Sequence, residues 1–229
     1  MSIGSEFKSS GITENTPKTI MLGAGTVHNG LSFKPGQGEA EGAWNFEESL
    51  ICATSGGSKL SIVPEFYDVP VDGALVKVKG LTVKVGETAK LEINPIELKP
   101  EILNMAVIGD EAESSMATGY TEMKSRSTIK EGDYVKNLGY VGKTIEGKPI
   151  IILFDNALCT SGLELEGKNK EAAVPKFTFE CYAELTPEAD TLPWHIFYPS
   201  ATAPAQSEPS AQSEPNAQSE PSAQSEPNI

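Results

Sequence analysis

Apolar and polar positions alternate along most of the chain after residue 18, with the spacing of two that marks half-buried strands. Phe177, Phe179 and Cys181 alternate with Thr178 and Glu180, so residues 176–185 read as a strand with one face in a core. Residues 134–144 and 149–154 flank Ile145-Glu146-Gly147-Lys148, a four-residue loop with glycine where a hairpin needs it. Residues 19–21, 26–33, 60–67, 158–165 and 195–198 supply further short strands. The best-patterned stretch is 75–85. There Val76 and Val78 alternate with Lys77 and Lys79, and Leu81, Val83 and Val85 continue the apolar set. One long amphipathic strand is expected, with a bend or bulge at Gly80 and its apolar positions toward the core. It should turn at Gly86-Glu87 and return as residues 90–96.

Helical spacing occurs once. Residues 98–108 carry Pro100 at a plausible first-turn position, and Ile102, Leu103, Ala106 and Val107 share a face. Eight or nine strands to one helix predict a mainly β fold. The expected form is a β-sandwich or partly closed barrel with one flanking α-helix. Two segments, 35–59 and 111–131, do not fit the strand pattern and read as long loops. The first contains Trp44, Phe46, Leu50 and Ile51 among glycines and glutamates. Such residues have little reason to sit in solvent, so the loop should dock on its own subunit or on a neighbour.

Composition divides the 229 residues into three parts. Residues 1–18 form a polar arm, and MSIGSEFKSS lacks the apolar core of a signal peptide. Residues 19–200 form the folded domain. Residues 201–229 contain AQSEPS and AQSEPN in alternation from Ala205 to Asn228, with no side chain able to build a core, so a disordered tail is expected. The formal charge is −14. Removing the four repeat glutamates leaves the body still acidic, at −10. That balance excludes DNA wrapping by phosphate neutralisation. No apolar run approaches the ~18 residues of a membrane span.

The candidate chemistry is thin. Cys52, Cys159 and Cys181 are odd in number and widely spaced, which signals neither a disulfide framework nor a zinc site and suits a reducing compartment. Gly23-Ala24-Gly25 has His28 where a dinucleotide fingerprint needs its third glycine, and no βαβ unit follows. Gly36-Gln37-Gly38 lacks the Lys-Ser or Lys-Thr of a P-loop. The acidic groups around Glu47 and around Glu111 lack the spacing of a calcium loop. His28 and His195 have no nucleophile elbow to serve. No enzymatic activity, cofactor or metal is expected.

Three segments carry a resemblance. Asp72-Gly73-Ala74-Leu75-Val76-Lys77-Val78-Lys79-Gly80, Thr178-Phe179-Glu180-Cys181-Tyr182-Ala183 and Leu192-Pro193-Trp194-His195-Ile196-Phe197-Tyr198-Pro199 resemble the major tail protein, or tail tube protein, of long-tailed bacteriophages of the siphophage type. The resemblance implies a virion structural protein, assembled in the host bacterial cytoplasm. Its hexameric rings would stack into a tube that conducts double-stranded DNA without binding it specifically. It implies a tape-measure protein, a tail-tip initiator and a tail terminator as partners. In that frame the inter-ring or inter-subunit contacts fall to Trp44, Phe46, Leu50, Ile51, Val76, Val78 and Leu103. Loop 35–59 would bridge rings, the arm would order on stacking, and the acidic repeats would lie outside the tube. The alternatives are a β-sandwich adhesion or capsid-decoration module, and a small hydrolase built on an unrecognised acid pair.

Overall fold

The computed structural model describes residues 10–36, 42–186 and 189–199. Residues 1–9 of the arm and the whole repeat tail lie outside them. The fold is mainly β, and its sheet does not close into a barrel. The arm ends in a single helical turn, α1 (Thr16–Thr19), with Pro17 in its first turn.

One antiparallel sheet holds eight strands. They are β1 (Met21–His28), β4 (Leu50–Cys52), β5 (Lys59–Asp68), β6 (Thr82–Ile93), β9 (Val135–Thr144), β10 (Pro149–Cys159), β11 (Phe177–Cys181) and β12 (Trp194–Phe197). Two two-stranded sheets lie apart from it: β2 (Phe33–Lys34) with β3 (Ala43–Trp44), and β7 (Gly109–Glu113) with β8 (Thr121–Ser125). The main order is β4-β1-β9-β10-β11-β6-β5. Strand β10 is the fork. Its first half pairs with β12 and its second half with β11, while β9 runs along its other side.

The main core gathers residues from both arms of that fork. Val27, Leu138, Tyr140 and Phe154 share one cluster with Leu91, Ile93, Phe177 and Phe179. Each large side chain removed from water contributes about 1.5–3 kcal/mol. The flanking helix, α3 (Pro100–Ala106), buries Ile102 and Ala106 in this core, as its spacing predicts. Leu103 is half-buried on the same element.

Several sequence expectations are corrected here. Residues 75–81 are not strand. β6 begins at Thr82 and runs straight through Gly86-Glu87, which is no turn. Its partner is β5, in register from Lys59↔Glu92 to Asp68↔Thr82. Gly86 instead faces a bulge at Glu65/Phe66, and a side chain there would press on the Glu65 carboxylate. Residues 158–165 are not a separate strand, because β10 continues to Cys159 across Asp155-Asn156. Segment 111–131 is not a plain loop; most of it forms the β7–β8 hairpin and the 3-10 turn Glu131–Asp133.

Segment 35–59 also acquires structure: β3, α2 (Phe46–Ser49) and β4. It closes a second, smaller core on the sheet, where Trp44 and Phe46 pack with Leu31, Val141, Ile151 and Leu153. Gly139 permits this, since a Cβ there would stand 2.4 Å from Leu31 Cδ2. Of the two dockings open to the loop, the described residues take the one on their own subunit.

Candidate functional site

The β5–β6 hairpin is the longest strand pairing, and its two halves differ. Near the body Ala89, Leu91 and Ile93 are buried, and Leu60 and Ile62 pack against them. From Val63 to Val85 every residue is exposed except Asp68 and Leu81, which are half-exposed. Both faces of this distal half are open, so it projects from the body as a two-stranded ribbon.

The ribbon is nonetheless apolar. Val63, Tyr67, Val83 and Val85 are about half-exposed, and Phe66 is 64% exposed. At the tip Leu75 is 97% and Val76 77% exposed, with Val78 less so. The tip is built by local chemistry. Asp72-Gly73 sits in a turn closed by Ala74 N–H donating to Val71 O at 3.1 Å, and Gly73 takes φ +85°. A second turn is closed by Leu81 N–H donating to Val78 O at 3.1 Å, with Gly80 at φ +94°. Lys77 reaches back to Asp68 at 2.6 Å, and Thr82 donates to the same carboxylate. These bonds hold the Asp68 carboxyl below its usual range. Valine and lysine therefore alternate because the chain is curled and tied, not because it lies in a sheet.

The open edges of the main sheet carry their own devices. Strand β5 has Pro64, which an edge strand tolerates because its nitrogen needs no partner. Strand β1 pairs with β4 only at Val27 and His28, leaving the outer side of residues 21–26 open. Between Leu22 and Thr26 its register with β9 shifts. Gly25 (φ +67°) lies against the Tyr140 ring, and Tyr140 Oη donates to Ala24 O at 2.8 Å. Bulges and prolines of this kind discourage indiscriminate edge pairing.

No family model matches the chain, and no curated protein matches it. Among solved structures the chain is similar to one described as "Virion of native gene transfer agent (GTA) particle". The two are 12% identical with a TM-score of 0.35, covering 60% of this chain and 86% of that chain.

The sequence-derived contact residues divide into three groups. Val76 and Val78 stand on the exposed tip. Trp44 and Phe46 lie in the second core, with Trp44 edge-on to Phe197 at 5.1 Å and to Phe33 at 5.5 Å. Leu50 is exposed on β4, Ile51 packs on the main core, and Leu103 lies on α3. The tip group and the aromatic group belong to different surfaces. Sequence reading missed Phe66, Tyr67, Met116 and Tyr120, all at least half-exposed. The signal available for the first two was a β5 pattern with no polar face at its far end.

The histidines are tied rather than poised for chemistry. His28 is buried; its Nε2 accepts from Thr26 Oγ1 at 2.8 Å and its Nδ1 donates to Ser49 Oγ at 3.0 Å. Ser49 Oγ in turn donates to Asn45 O at 2.7 Å. Burial holds the His28 ring below its usual pKa, so it stays neutral and clasps α2 to β1. His195 meets Asp155 at 3.4 Å on an open surface. Cys52 and Cys181 are buried, and burial raises both thiols, Cys181 to about 12. Neither supplies thiolate at neutral pH. Among the described residues no group of three or more His, Cys, Asp or Glu gathers as a metal site.

The β7–β8 hairpin is fixed differently, by charge. Arg126 is bound by Asp110 and Asp133, and its Nη1 also donates to Gly109 O at 2.8 Å. Lys130 and then the guanidinium hold the Asp110 carboxyl below its usual range, and the guanidinium does the same for Asp133.

Proposed function

We propose that this protein is a virion structural subunit whose six-membered rings stack into a tail tube, the conduit for DNA ejection. The observation that supports the reading is the ribbon of residues 63–85, apolar and open on both faces in the single subunit. A lone two-stranded ribbon is marginal in water, and an apolar surface of this kind marks an interaction site. An open-ended assembly of like subunits supplies the missing partner for each copy.

In this reading the bridging element between rings is the β5–β6 ribbon. Loop 35–59, whose aromatic residues are already packed at home, is released from that role. The acidic chain suits a channel that repels phosphate and lets DNA slide. A tape-measure protein, an initiator and a terminator are the partners such a tube requires.

Electron microscopy of the full chain at rising concentration tests the reading. Hollow filaments or stacked rings are expected. Replacing residues 69–81 by Asn-Gly should leave folded subunits that form none. Single small particles that persist with initiator and tape measure added overturn the tube. Tubes formed by the shortened variant overturn the role of the ribbon.

A further inference from the structure

Two hairpins leave the described body with opposite chemistry. Among the described residues the β5–β6 tip offers one free cation: of its three lysines, Lys77 is bound by Asp68 and Lys84 by Glu87, which leaves Lys79. The β7–β8 end is acidic: residues 111–122 hold Glu111, Glu113 and Glu122 and no basic residue. Both also present apolar side chains to solvent. Leu75 and Val76 do so at the first, and Met116 (86% exposed) and Tyr120 (72%) at the second.

Each end is shaped before any partner arrives. At the acidic end Ser114 N–H donates to Tyr120 O at 2.9 Å. Ser114 Oγ accepts from the backbone of Met116 at 3.2 Å and of Ala117 at 3.1 Å. That turn holds Met116 and Tyr120 outward, and the Arg126 clamp fixes its base. At the β5–β6 end the curled loop leaves an open cleft of about 310 Å³ beside Val69, Val71, Leu75 and Val76. Among the described residues Lys79, Glu111 and Glu113 have no ion-pair partner.

Resting on the assembly reading above, we infer that the β5–β6 tip of one copy docks on the acidic β7–β8 hairpin of a second copy. Met116 or Tyr120 enters the cleft, and Lys79 faces Glu113. The occupant is this same chain because it carries both halves of the match: Lys79 at one end and Glu111 and Glu113 at the other, opposite in charge and without an ion-pair partner among the described residues. Two different surfaces meet, so the contact is head-to-tail. Every copy then keeps one free tip and one free receptor, which is the condition for a closed ring or an open-ended stack.

Charge reversal and its swap test the pairing in the full chain. Lys79→Glu alone and Glu113→Lys alone should each raise the concentration needed for polymerisation about tenfold. The double variant should return it close to wild type. Both sites are exposed, so the thermal midpoint of the subunit should not move. A Val76→Cys, Met116→Cys variant should give inter-chain disulfides only under polymerising conditions, since Cys52, Cys159 and Cys181 are buried. If wild type polymerises while the reversals change nothing, or the double variant is no better than the singles, the hairpin pairing is overturned and the tube reading stands. If wild type stays monomeric with initiator and tape measure present, both are overturned.

Discussion

The near and far halves of the β5–β6 hairpin share one ladder, yet they sort their side chains in opposite ways. Near the body Leu60 faces Leu91 and Ile62 faces Ala89 over the core. The outer face of that half carries ions: Glu92 binds Lys59 at 3.2 Å and Lys176 at 2.6 Å, and Lys90 pairs with Glu180. Past Glu87 there is no core beneath, yet the outer face becomes Val63, Tyr67, Val83 and Val85 around the single charge of Glu65. A surface charged where it is backed by a core and apolar where it is not runs against what keeps a monomer soluble. In the assembly proposed above, the far half is the part that a second copy would cover.

The largest effect should come from the near half. Leu91→Ala removes a side chain only 2% exposed and should cost about 2–5 kcal/mol of unfolding free energy. Denaturant titration of the subunit measures it. A loss below about 1 kcal/mol would mean that the near half is no better anchored than the far half, and the contrast would collapse.

Glu87 marks the joint between the halves, and a smaller loss is expected there. Its carboxylate accepts from Trp194 Nε1 and from Lys84, each at 3.0 Å. Trp194→Phe leaves the ring packed and removes one donor, for about 1 kcal/mol. The same bonds, that to Trp194 first, hold the Glu87 carboxyl below its usual value. A depressed carboxyl contributes stability that is present above the unfolded value near pH 4.3 and is lost as pH falls through the folded one. Acid unfolding of Trp194→Phe should therefore show a shallower loss over that window than wild type. Equal slopes would detach Glu87 from the joint.

These elements also show which parts of the fold could be read from the sequence. The 145–148 hairpin and the α3 start at Pro100 were legible because a turn and a first helical residue are decided by a few local positions. The β11 alternation was legible because a core lies under Phe177 and Phe179. Residues 75–81 failed for the converse reason. Alternation reports that apolar residues fall on every second position, not that a core or a neighbouring strand waits for them. Gly80 reads in the sequence as a distortion within a strand and Gly86 as a turn, whereas the hydrogen bonds and the register make them a tip turn and a bulge partner. The β7–β8 hairpin was invisible because Gly109–Glu113 and Thr121–Ser125 present no apolar face, and the Arg126 clamp at the base leaves no periodic signal. Of the contact residues, Val76 and Val78 lie on the exposed surface, while Trp44 and Phe46 are half-buried against the second core of their own subunit.

The smallest effect on the subunit should be the most telling for function. Val83→Thr with Val85→Thr keeps two β-branched residues on β6, so the strand preference is retained. Both side chains are already in contact with solvent, 45% and 62% exposed, and no core is opened. The double variant should unfold within about 0.5 kcal/mol of wild type. In an assembly the same hydroxyls would sit against an apolar partner, where a buried hydroxyl without a hydrogen bond costs about 1–3 kcal/mol. Each copy in a ring contributes that cost, so polymerisation should fail while the subunit remains intact. Sedimentation of the variant beside Leu91→Ala separates the two roles. A stable variant that still polymerises shows that the outer face of the far half stays in solvent, and the partner must then meet the hairpin at its tip alone.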